Sequence, residues 1–102
     1  MSILELDVLE RMDKVFVDDW AQCKRDDPFG ALRPHVRAGL LTDETVSGEL
    51  ADVVAGTKPG RERDDERILF WHRGLATTDV ALAQLMVGRA VERGLGTTLR
   101  YR

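Results

Sequence analysis

The run Val15-Phe16-Val17, set between Lys14 and the acidic pair Asp18-Asp19, constrains the fold of this chain more than any other stretch. An unbroken run of β-branched and aromatic residues suits a strand buried on both faces, and strands so buried belong to parallel sheets covered by helices. A second run, Arg67-Ile68-Leu69-Phe70-Trp71-His72, has the same character and is closed by Arg73-Gly74. Segments of helical periodicity lie between and after the two runs. The order predicts an α/β protein with parallel pairing. A sheet of two or three strands is marginal alone, so this one is expected to need neighbours from its own copy or from another chain.

The helical segments follow from spacing and from caps. Leu4 to Met12 places Leu4, Val8 and Leu9 on one face of a short amphipathic helix. Trp20 to Arg25 starts a helix or turn, and Asp26-Asp27-Pro28-Phe29-Gly30 carries cap and turn chemistry. Leu32, Val36 and Leu40 recur at helical spacing before Thr42-Asp43-Glu44, which has the form of a second helix start. Leu50, Val53 and Val54 form the stripe of the helix that follows, with Gly56 placed to end it. Lys58 to Asp65 reads as a solvated loop. A long helix is predicted from Thr77 or Thr78, with Asp79 in its first turn and Ala81, Leu82, Leu85, Met86, Ala90 and Val91 as its apolar stripe. Gly94 stops it, and Thr97 to Tyr101 is expected to form a last short strand.

Composition excludes several classes of function. With 102 residues the chain is read as one small domain over residues 1–102. Its 15 basic and 18 acidic residues are interspersed and sum to −3, which leaves no footprint for nucleic acid and no polybasic membrane patch. No apolar stretch reaches the ~20 residues that span a bilayer, and MSILELDVLE lacks the basic-then-apolar form of a secretory signal. The single Cys23 makes neither an internal disulfide nor a metal cluster, so a reducing, cytoplasmic setting and no metal are expected.

Two places carry candidate chemistry. Asp18 and Asp19 follow the first strand, at the end where open α/β sheets place ligands. A carboxylate pair there suits acid–base work or a cation, and equally suits a helix cap beside a solvated acid. His72, Arg73 and Gly74 end the second strand. A histidine can move protons near neutral pH, and an arginine can grip a carboxylate or phosphate, although a surface ion pair is the plainer use of Arg73. His35 is read as structural or solvent-facing. Trp20 and Trp71 are read as core or interface aromatics, and Met86 as core. The sequence holds no G-x-G-x-x-G after a strand, no P-loop, no H-E-x-x-H and no C-x-x-C. Gly94-Leu95-Gly96 follows a helix and does not open one. Residue patterns by themselves stop at a small α/β domain.

The segment Gly48-Glu49-Leu50-Ala51-Asp52-Val53-Val54-Ala55-Gly56-Thr57-Lys58-Pro59-Gly60-Arg61 resembles the "EL…VLAG…GR" stretch of the ornithine cyclodeaminase/mu-crystallin family. The strand Ile68-Leu69-Phe70, then Gly74-Leu75-Ala76-Thr77-Thr78-Asp79, is similar to that family's next strand and its "G-x-A-x-x-D" helix start. Ala90-Val91-Glu92-Arg93-Gly94-Leu95-Gly96-Thr97 resembles the closing "A…RGxGT", and Val15-Phe16-Val17-Asp18-Asp19 with Gln22 the "VFVD…Q" strand and turn. The likeness runs from about Glu5 to the end.

The resemblance implies two-domain NAD(P) enzymes that cyclodeaminate ornithine, reduce cyclic imino acids or dehydrogenate alanine. Their Gly-rich turn, substrate-gripping Arg and Lys residues and catalytic aspartate precede the region matched here. It therefore implies a partial Rossmann-like unit: the second half of a nucleotide-binding domain, with few parallel strands, flanking helices and a long C-terminal helix. NAD or NADP is expected only once a partner chain completes the site, and none for the chain alone. In the family a small polar residue and Val precede the Gly near the nicotinamide. Here Gly74 matches while His72 and Arg73 depart from that pattern; these three are the candidates for cofactor contact, and the contact with substrate or cofactor is expected to differ from the family's. Phe70 and Trp71 adjoin them.

Three functions remain open at this point. The chain is a fragment or subunit of a split enzyme, with a protein partner on its exposed sheet edge and an amino-acid or imino-acid substrate. Alternatively it is a non-catalytic assembly protein, forming a homo-oligomer on the same scaffold. The third is a small enzyme or ligand binder with a new site where Asp18, Asp19, His72 and Arg73 converge.

Overall fold

A computed structural model describes residues 4–25 and 32–100. Three parallel strands form its sheet: β1 (Lys14–Val17), β2 (Gly48–Glu49) and β3 (Ile68–Trp71), in the order β2-β1-β3. Around them lie α1 (Trp20–Lys24), α2 (Arg33–Arg37), α3 (Leu50–Val54) and the 17-residue α4 (Ala76–Glu92). The fold class expected from the two apolar runs is the one observed. No helix among the described residues is long and apolar enough to cross a membrane.

The central position of β1 follows from its sequence. Val15 and Val17 enter the core with Leu32 and Leu41, while Phe16, between them in the pleat, is also buried. Alternate side chains of a strand point to opposite faces, so burial of all three requires cover on both sides. Phe16 lies level with Gly48 on one side and Phe70 on the other. Leu69 and Trp71 of β3 pack on the core.

At the other end of the sheet an ion network fastens the loop that precedes β3. Lys14 donates to Gly60 O at 2.7 Å and to Glu62 at 2.6 Å, and lies 3.1 Å from the buried Glu66. Arg61 donates to Glu66 O at 2.6 Å. A loop read as merely solvated is in fact tied to β1.

Several local expectations are corrected. The short helix expected between Leu4 and Met12 forms over Leu6–Arg11 and is of 3-10 type, with Leu4, Leu9 and Met12 on the core. Thr42-Asp43-Glu44 starts no helix. The Thr42 hydroxyl accepts from the backbone N–H of Glu44 and Thr45 and closes a local turn. The helix begins instead at Leu50, where Glu49 and Asp52 form a reciprocal capping box. Gly56 ends it with φ +74, as expected. In α2 the stripe is broken after Val36, because the helix ends at Ala38. Leu41 then takes the buried place that Leu40 was expected to fill. His35 is fully buried, so a solvent-facing role is excluded; its Nε2 lies 2.9 Å from Glu5 O. No strand forms over residues 97–100, and Tyr101 lies outside the described residues, as does the Asp26–Gly30 turn.

The apolar stripe of α4 is uncovered. Leu82, Leu85, Met86 and Val91 keep between 52% and 73% of their surface exposed. The radius of gyration is 18.2 Å and the extents are 52 × 34 × 20 Å, whereas a compact chain of this length has a radius of about 13 Å.

Candidate functional site

The carboxyl ends of the strands carry the chemistry. β1 runs out into Asp18-Asp19, β2 ends at Glu49, and β3 runs into His72-Arg73-Gly74. An open cleft of about 650 Å³ lies there. One wall is Leu50, Ala51 and Val54 of α3. Asp18, Phe70, His72 and Gly74 form the sheet side, and Leu75, Thr78 and Asp79 the start of α4. Clefts of this size, apolar with a few polar groups at the strand ends of an α/β sheet, suit small ligands and cofactors.

Phe70 on β3 and His72, the residue just past its end, are two apart and share a face. Their rings stack with centroids 5.7 Å apart and planes 18° from parallel. Arg73, one residue further, lines a different and much smaller hollow with Gln22, Cys23, Leu32, Arg33 and Trp71.

The two aspartates have distinct partners. Asp18 Oδ2 accepts from the backbone N–H of Arg73 and of Gly74, both at 2.8 Å, and its Oδ1 accepts from the N–H of Asp19 at 2.9 Å. Asp19 caps α1: its Oδ1 accepts from the N–H of Gln22 at 2.9 Å. The structure thus brings Asp18, His72 and Gly74 to one cleft, and sets the side chains of Asp19 and Arg73 outside its lining. Among the described residues no group of His, Cys, Asp and Glu is placed to hold a metal ion.

Glu49 is a participant that pattern reading passed over. Its carboxylate accepts from the N–H of Trp20 at 2.8 Å and joins the start of α1 to the start of α3. Burial, reinforced by Asp18, Asp19 and Glu49 and opposed by Arg73, pushes the Cys23 thiol up to about 11. Such a thiol is a packing group and a poor nucleophile. Leu50 and Val54, i and i+4 on α3, were legible as an apolar stripe, though not as a cleft wall. Thr78 and Asp79 were legible only as the start of a helix.

The ornithine cyclodeaminase/mu-crystallin family matches residues 2–94, and the chain belongs to that family. It is 38% identical over 101 residues to N-((2S)-2-amino-2-carboxyethyl)-L-glutamate dehydrogenase of Staphylococcus aureus, covering 97% of this chain and 30% of that protein. It is 33% identical over 98 residues to alanine dehydrogenase of Archaeoglobus fulgidus, covering 96% of this chain and 29% of that protein. Among solved structures, Thermococcus litoralis Delta(1)-pyrroline-2-carboxylate reductase in complex with NADH and L-proline superposes with a TM-score of 0.81 at 31% identity. That superposition covers 96% of this chain and 29% of the reductase. An archaeal alanine dehydrogenase dimer with bound NAD gives a TM-score of 0.78 at 32% identity, over 99% of this chain and 30% of that one. The chain therefore spans about three tenths of the length of these relatives.

Proposed function

We propose that this chain is the second half of the nucleotide-binding domain of an NAD(P)-dependent amino-acid or imino-acid oxidoreductase, working once a partner chain supplies the Gly-rich turn and the catalytic residues. The observation that carries the reading is the cleft at the ends of three parallel strands, apolar on the α3 side and bordered by a long helix whose own apolar stripe is uncovered. When bound, a nicotinamide dinucleotide supplies hydride exchange with the α-carbon of an amino or imino acid.

The residues present fit one end of such a cofactor. Leu50, Ala51, Val54 and Leu75 offer apolar walls to a flat ring, and the Phe70–His72 stack gives the sheet side of the cleft an aromatic surface. Among the described residues the cleft lining contains neither Lys nor Arg, and in this reading the phosphates fall to groups of the partner chain. In this reading His72 and Gly74 border the ring by their place at the end of β3. Arg73 acts behind them, through its backbone and its contacts around Cys23. The protein side's task is to exclude water and to orient the ring.

The uncovered α4 stripe equally supports a second reading, a non-catalytic homo-oligomer on the same scaffold. NADH titration followed by fluorescence separates the two. The first reading predicts no saturable binding by the chain alone below millimolar NADH, and micromolar affinity for its complex with a larger chain. Micromolar binding by the chain alone would contradict the need for a partner. A complex with no NADH affinity would leave the assembly reading.

A further inference from the structure

The turn between β3 and α4 has the form of an anion cradle. Consecutive backbone N–H groups ahead of a long helix are a ready binding place for phosphate or carboxylate, and the glycine at φ +96 gives this turn its bend. Here the N–H groups of Arg73 and Gly74 converge on a single atom, Asp18 Oδ2, at 2.8 Å each. The other oxygen of that carboxylate is held by the N–H of Asp19, and the N–H of Asp18 donates to Trp71 O at 3.2 Å. The carboxylate therefore ties the end of β1 to the turn after β3, on the rim of the cleft. Asp79 borders the same cleft from the first turn of α4, and among the described residues the lining holds neither Lys nor Arg.

We infer that Asp18 is a positioning residue that fills this cradle as an internal anion, fixing the shape of the His72–Gly74 turn and shutting phosphate out of that side of the cleft. A phosphate placed at the turn would displace the carboxylate from both N–H groups or sit against it, with Asp79 as a second like charge close by. The role differs from acid–base work. The inference concerns the cleft treated above, but it stands whether or not a dinucleotide enters, because each contact it uses lies within the chain.

The test is amide NMR on the full chain with inorganic phosphate as the probe. In the wild type the Arg73 and Gly74 amides are expected to exchange slowly and to keep their shifts as phosphate is added. In Asp18→Ala both should exchange at least about tenfold faster, as the loss of charge-assisted hydrogen bonds requires. They should also shift saturably with phosphate, while the Val15–Val17 amides stay protected. Should that variant fail to fold, Asp18→Asn keeps one acceptor oxygen without the charge, and a several-fold rise confined to the same two amides is expected. Unchanged exchange at Arg73 and Gly74 in the folded variant would overturn the role of Asp18. So would wild-type amides that shift with phosphate while Asp18 is in place. Neither result depends on NADH, so failure of the oxidoreductase reading would be seen separately.

Discussion

Glu66 is the residue whose burial has the clearest consequence. Its side chain is almost fully enclosed, accepts from the backbone N–H of Glu62 at 2.9 Å and lies 3.1 Å from the Lys14 ammonium. The Glu62 N–H, more than Lys14 and against the cost of burial, holds the carboxyl at about 2, below its ordinary 4.5. A depressed carboxylate stabilises the fold above its unfolded value and loses that contribution as pH falls through its folded one. Urea denaturation should therefore show Glu66→Gln less stable than wild type at neutral pH, with the gap closing between pH 4.5 and about 2. A gap that is constant across that window would contradict the role given to Glu66. At the same scale, Asp18 and His72 were visible in the sequence as groups at strand ends. What could not be read was the partner of Asp18: bonds to Arg73 and Gly74 span more than fifty positions and appear only once β1 and β3 pair.

Among the elements, β1 and β3 were the most legible, since unbroken apolar runs admit few other uses. The two-residue β2 was invisible because Gly48-Glu49 carries no strand propensity and pairs only through its backbone with Phe16 and Val17. The false helix start at Thr42 arose from real cap chemistry that closed on itself as a turn. α4 was found from its stripe, yet a stripe tells which face is apolar and not what covers it. Gly88 lies inside α4, and a Cβ built there meets nothing within 4 Å. Gly88→Ala should stabilise the helix of the chain alone by up to about 1 kcal/mol, read as greater helicity and a higher melting temperature. Loss of stability would show that α4 is packed closely at Gly88 in the free chain.

At the scale of the molecule, the described residues form a single sheet with β3 at one edge, and a 17-residue helix whose apolar stripe is uncovered. The family was legible in the sequence because its motifs keep their order and spacing, from Val15-Phe16-Val17 to Arg93-Gly94. The companion of the α4 stripe was not, since among the described residues nothing covers it. Burial of that stripe and of the β3 edge against a second polypeptide would join the cleft to a Gly-rich turn and to catalytic groups. Native mass spectrometry of the untagged chain, purified from its own source, tests this most directly. A complex with a larger chain that carries the added mass of a dinucleotide is expected; a homo-oligomer free of nucleotide would overturn the split-enzyme reading.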